Sequence, residues 1–172
     1  GLFRFDASGR LTGRVEIPKS YVPEGNEAGI RHNKGFESLT LSPSGRTLFV
    51  ATEGPLAGDG PACTAESGCE VRVLEYKLRD GRFEASREFR YPLDKLSTPI
   101  LLGPVSGGIG LVELLSLDDS RLLALERGFA VNLWGKRYHQ GLIRLVTLGA
   151  TLEKSLILDM DSVLSQLDPA YQ

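Results

Sequence analysis

The chain lacks the features that would place it among nucleic-acid-binding or membrane-spanning proteins. Its 20 lysines and arginines are balanced by 22 aspartates and glutamates, for a net charge of −2. Such a balance lacks the basic surface with which proteins bind nucleic acid. The longest uncharged stretch that is rich in apolar residues, 99–112, contains four glycines and two prolines. It therefore falls short of the roughly 20 apolar residues of a membrane-spanning helix, and no signal-peptide pattern opens the sequence.

Cysteine and histidine are scarce, which limits metal chemistry. The two cysteines, Cys63 and Cys69, lie six positions apart in a polar loop, and the two histidines are His32 and His139. A zinc site needs about four ligands at shorter cysteine spacings, so a metal pair is the least favoured interpretation. A local disulfide is preferred, and free thiols are the alternative. A disulfide would place the protein outside the reducing cytosol.

The composition is that of a soluble, turn-rich domain. The 172 residues include 41% hydrophobic residues, 20 glycines and 9 prolines. At about 150 residues per domain, this length predicts one domain or slightly more. Short segments with alternating apolar and polar residues, separated by turn residues, predict ten strands. They cover residues 2–5, 10–17, 37–41, 47–51, 70–78, 82–91, 113–117, 121–125, 141–148 and 151–159.

Other segments are interpreted as loops or as a short helix. The glycine-rich segment 107–110 predicts a loop before a strand, and 135–139 predicts a basic loop that could meet an anion. Residues 161–167 predict a helix of one or two turns, capped by Asp161. Trp134 is interpreted as a packing residue.

An internal repeat organises the strands. Residues 35–54 and 110–128 each hold a strand, a turn and a second strand, and Glu37 and Glu113 are 76 residues apart. Each copy is followed by an insertion and two further strands, and four antiparallel strands make a β-propeller blade. The prediction is an all-β chain of about two and a half propeller-type blades. A β-sandwich is the alternative.

Several motifs occur in an order that resembles the phytase-like family, labelled for esterase-like activity of phytase. The motifs are RHNKGFESLTLS at 31–42, EGP at 53–55, RYPLD at 90–94, LERG at 125–128 and LDMD at 158–161. The family domain is much longer than this chain. The resemblance implies a single phytase-like domain over 1–172 that is a fragment of a longer propeller. Residues 1–34 would end one blade, 35–109 form the next and 110–172 form a third. The remaining blades would come from missing chain or from a second copy.

The resemblance also implies a site. Glu37, Glu53 and Glu126 would bring carboxylates to one rim and hold Ca²⁺, which prefers six to eight oxygen ligands. Arg31, Arg127 and Arg137 would face phosphate, because the arginine fork matches phosphate geometry. Glu37, Arg31 and Arg127 are the predicted catalytic residues. The structural alternative is that each glutamate holds backbone N–H groups or pairs with an arginine.

The expected function is a phytase-like hydrolase that cleaves small phosphate esters with Ca²⁺ assistance at the channel mouth. The expected location is extracellular or periplasmic. One alternative is a non-catalytic exported propeller that binds a ligand or a partner protein. Another is a structural portion whose site is completed elsewhere. No Gly-x-Ser-x-Gly elbow occurs, so the sequence does not support a serine esterase of the α/β-hydrolase type.

Overall fold

A computed structural model gives the fold and describes residues 1–25, 27–164 and 166. These residues form ten strands and one short α-helix, with two single turns of 3₁₀-helix at Lys19–Tyr21 and Ala57–Asp59. The strands are β1 (Leu2–Phe5), β2 (Leu11–Val15), β3 (Phe36–Leu41), β4 (Thr47–Thr52), β5 (Cys69–Arg79), β6 (Arg82–Leu93), β7 (Pro104–Ser116), β8 (Arg121–Asn132), β9 (Arg137–Leu148) and β10 (Leu152–Asp159). The helix α1 spans Met160–Leu164.

Within each sheet the strands pair in the order in which they follow along the chain. β1 and β2 form a hairpin, β3-β4-β5-β6 form the first four-stranded sheet, and β7-β8-β9-β10 form the second. All pairs are antiparallel. The turn between β5 and β6 is Asp80-Gly81, with φ of 46° and 79°, as a tight two-residue hairpin requires. The predicted all-β fold, with four antiparallel strands in each repeat, is confirmed.

The first strands of the two sheets lie side by side, so that equivalent positions of the repeat meet. The Ser116 N–H donates to Thr40 Oγ1 at 3.0 Å, and these residues are 76 positions apart. Ser44 and Asp119, in the two corresponding turns, are joined by a hydrogen bond of 2.8 Å. Both first strands also carry an irregularity, between Phe36 and Ser38 and between Leu111 and Glu113. The repeat in the sequence is therefore a repeat in the structure.

The two sheets present corresponding faces in the same direction. In β4, the Thr47 carbonyl accepts a hydrogen bond on the side where β3 lies. Phe49, two residues later and on the same face as Thr47, belongs to the core between the two sheets. In β8, the Arg121 carbonyl likewise accepts a hydrogen bond on the side where β7 lies. Leu123, on the same face as Arg121, points away from the core between the sheets, because its sequence neighbour Leu122 belongs to that core. Carbonyl direction and side-chain face alternate together along a strand. This stacking favours blades over two sheets facing one another; closure into a ring stays a prediction.

The core has two parts, one on each side of the first sheet. The larger part lies between the two sheets and includes Phe49, Tyr91, Leu111 and Leu122, all of them fully buried. The smaller part joins the other face of the first sheet to Tyr21 and to apolar residues of the N-terminal segment. The first sheet is thus covered on both faces, whereas the second sheet is covered mainly on one.

Three local predictions need correction. The glycine-rich segment 107–110 lies within β7, so the loop prediction there is wrong. Part of the predicted basic loop also belongs to a strand, because β9 begins at Arg137. Trp134 is 65% exposed and is not a packing residue of this chain. The predicted helix is present as Met160–Leu164, while its expected last residue, 167, lies outside the described residues.

β7 begins at Pro104, six residues before the predicted start of the third blade at 110. Helices of the described residues are all too short or too polar to cross a membrane.

Candidate functional site

Glu126 lies between the two sheets in a buried ionic cluster. It is 5% exposed in β8, opposite Leu111 of β7. Its Oε1 accepts from Tyr91 Oη at 2.7 Å and from Lys154 Nζ at 2.8 Å, and its Oε2 accepts from Arg144 Nε at 3.2 Å. Burial and the adjacent Glu126 carboxylate raise the pKa of Tyr91 above its ordinary value. This glutamate joins strands of both sheets.

Glu53 also lies in a contact between the sheets, directly after β4. Its N–H donates to Gly35 O at 2.8 Å, and its carbonyl accepts from Leu111 N at 3.2 Å. Its side chain is nearly buried and accepts a hydrogen bond from Lys34 Nζ at 2.7 Å. The backbone bonds fix the position of this carboxylate, while Lys34 balances its charge.

Glu37 and Arg31 lie apart from this contact. Glu37 is exposed and occupies the irregular position of β3, unpaired with β4. Arg31 donates to the carbonyls of Pro55 and Ala57 at 3.2 and 3.3 Å and to that of Gly60, so it holds the loop after β4. Arg31 and His32 line a separate cavity of about 480 Å³.

The carboxylates that the sequence suggested as calcium ligands do not form a metal site by themselves. Among the residues that the structure describes, no three His, Cys, Asp or Glu side chains lie close enough together to hold an ion. Both Glu126 oxygens accept from cationic side chains, and Lys34 occupies Oε1 of Glu53. Adjacent cations oppose the binding of Ca²⁺. The described residues therefore do not fit such an ion, and no chemical step is derived through one.

A cavity of about 800 Å³ opens beside the glycine-rich half of β7. It extends from the contact between the sheets to the far face of the second sheet. Its lining combines glycines, apolar side chains and five side chains that carry or can carry charge. These five are Lys34, Glu53, Arg127, His139 and Asp161.

Glycine at position 110 permits this close approach. A β-carbon there would lie 2.7 Å from Cγ of Glu53 and 3.2 Å from its Cδ. Real β-carbons do not approach that closely, so a side chain at 110 would displace the carboxylate. Gly108 is less crowded, since a β-carbon there would meet only Cys63 O at 3.5 Å. The glycines of β7 thus leave room both for Glu53 and for the cavity.

The charged groups of the cavity suit an anion together with proton transfer. Arg127 is exposed in β8, and no carboxylate among the described residues pairs with it. His139 is exposed in β9, and its ring lies 6.1 Å from that of Phe129. Burial and the charge of Asp159 raise the pKa of Asp161, while nearby His139 lowers it. A cation, an imidazole and a carboxyl with an altered pKa therefore share one cavity.

Of the predicted site residues, the cavity contains Glu53 and Arg127. Glu126 is buried between the sheets, whereas Glu37, Arg31 and Arg137 do not line this cavity. Sequence reasoning placed His139 in a basic loop that could meet an anion, but it did not include this histidine among the predicted site residues. Buried positions of β9 alternate back through Gln140 to Tyr138, but Gln140 is polar, so the sequence pattern does not show that the strand extends this far.

The predicted disulfide is present between Cys63 and Cys69, and Cys63 lines the cavity. The cross-link closes the loop that precedes β5, so it constrains one wall of the site.

Comparison with known proteins agrees with the motifs. A secreted protein of Arthroderma benhamiae (strain ATCC MYA-4681 / CBS 112371), called uncharacterized, is 27% identical over 101 residues. That alignment covers 45% of this chain and 20% of the fungal protein, so the chain spans only a small part of this relative. No solved structure matches the chain. The phytase-like family, described as "Esterase-like activity of phytase", matches residues 1–168, and the chain belongs to it.

Proposed function

We propose that the chain carries the substrate-binding part of a phytase-like hydrolase that acts on small phosphate esters. The observation that supports this most is the cavity beside β7. It places Arg127, free of a carboxylate partner among the described residues, together with His139 and Asp161. Arginine and phosphate match in charge and in planar hydrogen-bond geometry.

Each cavity residue has a role in this proposal. Hydrolysis breaks the ester P–O bond, water supplies the new oxygen on phosphorus, and the leaving oxygen takes a proton. Arg127 would offset the charge on the phosphoryl oxygens, as positioned donors do in other phosphoryl transfers. Because its pKa is raised, Asp161 keeps its proton to higher pH than an ordinary aspartate and would donate it to the leaving oxygen. His139 would accept the proton of the attacking water.

Calcium assistance at the channel mouth stays a prediction. Among the described residues, no three acidic or other metal-ligating side chains converge, so Ca²⁺ would need further oxygen ligands. Exposed Glu37 is the predicted ligand whose oxygens are least engaged by cations. A calcium requirement in the longer protein would therefore depend on ligands outside the described residues.

The test is phosphate release from phytate and from an aryl phosphate by the longer protein, with and without added Ca²⁺. We expect Arg127→Ala to lower kcat/KM by about 100-fold, because it removes a donor to the transition state. Arg46→Ala, in the exposed turn between β3 and β4, is the matched control and should leave activity unchanged. Absence of phosphate release together with absence of bound metal would contradict the proposal.

A non-catalytic exported binding protein is the second candidate. The cation partners of Glu126 and Glu53 favour it, because both carboxylates then stabilise the fold. This candidate predicts that phosphate esters bind, as measured by calorimetry, and are recovered uncleaved. The hydrolase candidate instead predicts that inorganic phosphate is released in the same experiment.

Export from the cytosol is part of both candidates. The disulfide Cys63–Cys69 is a cross-link of oxidising compartments. The similar fungal protein is a secreted one. Both observations support an extracellular or periplasmic location.

A further inference from the structure

Five large apolar side chains project into water at one end of the second sheet. They are Leu101 (63% exposed), Leu102 (62%), Val105 (62%), Leu133 (68%) and Trp134 (65%). Leu101 and Leu102 belong to the segment leading into β7, and Val105 is the second residue of that strand. Leu133 and Trp134 lie in the turn between β8 and β9. Pro104 pairs with Asn132, so the two segments are neighbours. We name these five residues the loop-tip patch.

A buried polar side chain holds the two parts of the patch together. Asn132 is 1% exposed, and its Nδ2 donates to Leu101 O at 3.3 Å. Its Oδ1 accepts from the N–H groups of Trp134 and Lys136 at 3.1 and 2.9 Å. Because the Asn132 side chain bonds to the backbone of both segments, it fixes the positions of the exposed apolar side chains relative to one another.

The backbone at Leu102 supports a role for this exposure. Leu102 has φ of 62°, a left-handed conformation that bulky residues rarely adopt. Its side chain gains little packing in return, because it is 62% exposed. Unusual backbone of this kind is retained mainly where function depends on it.

Positive charge lies beside the patch. Lys136 and Arg137 directly follow Trp134 and Gly135, and both are exposed. From Arg127 to Leu152 the sequence holds four arginines and lysines and no aspartate or glutamate. One acidic side chain, Glu66, approaches Gly103 on the other side of the patch. The turn between β8 and β9 therefore combines tryptophan, leucine and cations.

We propose that the loop-tip patch docks the protein on an anionic phospholipid surface. Exposed leucines and a tryptophan at the tips of turns suit the boundary between headgroups and acyl chains, where an aromatic ring with a polar edge is favoured. Lys136 and Arg137 would contact the phosphate groups of the lipids. The patch projects outward, so a fluid lipid surface accommodates it better than a protein, which would have to supply a matching groove.

Trp134 supplies the measurement, because it is the single tryptophan of the chain. The 172-residue chain is titrated with vesicles of phosphatidylcholine alone or with added phosphatidylglycerol. We expect a blue shift of the emission on the anionic vesicles and quenching by lipids brominated near the headgroup. The Leu101→Ser/Leu133→Ser variant should weaken vesicle binding by about tenfold or more.

Matched variants distinguish vesicle binding through the loop-tip patch from nonspecific adsorption of exposed apolar side chains. Leu39→Ser/Leu41→Ser removes two leucines that are 56% and 50% exposed on β3, and it should bind vesicles like the original chain. Lys136→Gln/Arg137→Gln should lower binding to anionic vesicles by about tenfold and reduce its salt dependence. Circular dichroism checks that each variant is folded.

Emission that stays unchanged at the highest lipid concentration would overturn the proposal. So would a blue shift that follows protein concentration without lipid, because Trp134 would then contact a second protein copy. Equal loss of binding in the β3 control would likewise contradict a specific patch.

Discussion

At the scale of single residues, Glu126 shows how surroundings decide the role of a charge. The sequence places this glutamate in the motif LERG, at the end of the predicted strand 121–125, whereas β8 continues through it to Asn132. Its partners could not be predicted, because Tyr91, Arg144 and Lys154 come from three other strands in two sheets. Arg127 is the next residue, yet it lines the cavity, since successive residues of a strand point to opposite faces.

Glu126→Gln should destabilise the fold by about 2–3 kcal/mol, because Arg144 and Lys154 would lose their buried carboxylate and keep only the exposed one of Asp94. The free energy of unfolding in urea measures this. Glu113→Gln, at an exposed position of β7, is the control and should change stability by at most about 0.5 kcal/mol. Equal effects of the two substitutions would show that the Glu126 cluster contributes nothing specific.

Acid should destabilise the fold through Asp59. Its carboxylate accepts from Arg72 Nε at 2.6 Å and pairs with Arg90 at 3.1 Å. Hydrogen bonds from Arg72, followed by its charge and that of Arg90, lower the pKa of Asp59. A lowered folded-state pKa gives stability that is present above the unfolded value, about 3.9, and is lost as pH falls through the folded value.

Urea unfolding at pH 7 and pH 3 tests this prediction. Asp59→Asn should lower the stability at pH 7 and show a smaller further loss at pH 3 than the original chain. An identical pH dependence of the two proteins would exclude Asp59 as a source of acid lability.

At the scale of elements, the strands could be predicted where polar and apolar residues alternate. The predictions for β5, β6 and β10 lie within two residues of the observed bounds. They failed where composition misled, in the glycine-rich start of β7. There the close approach of Glu53 requires glycine, and this contact is visible only once the two sheets are stacked. The disulfide could be predicted, because it is local.

Gly110→Ala should destabilise the chain by about 1–3 kcal/mol and disturb the cavity, because its β-carbon displaces the Glu53 carboxylate from Lys34. Gly108→Ala is the matched control in the same strand, where the nearest atom is 3.5 Å away. Thermal unfolding of both variants measures the difference. A Gly110 variant as stable as the Gly108 variant would mean that Glu53 moves without cost.

At the scale of the whole molecule, the stacking direction leaves one apolar face of the second sheet unused. Leu115 is 56% exposed, and cross-strand pairing continues the row from Leu115 to Leu123 and Leu145. The corresponding face of the first sheet is covered by the second sheet. The repeat in the sequence predicts this need for further sheets, and a covering sheet supplied by missing chain or by a second copy stays a prediction.

We expect the 172-residue chain to self-associate at high concentration through this face. Leu123→Lys places a charge in the middle of the apolar row and should shift the chain toward monomer in sedimentation analysis. Leu39→Lys, on exposed β3, is the control. If the original chain is monomeric, or if both substitutions have equal effects, this face does not mediate self-association.

The pairing of strands in chain order within each sheet also has a kinetic consequence. Within the two sheets most connections are turns of a few residues, but the link from β4 to β5 runs over residues 53–68, which is 16 residues. Closing that longer loop has the largest entropic barrier of any step within a sheet. The Cys63–Cys69 bond lies inside this link and shortens its covalent path. Oxidation before folding should therefore speed the formation of the first sheet, so that the folding rate depends on the redox state of the chain.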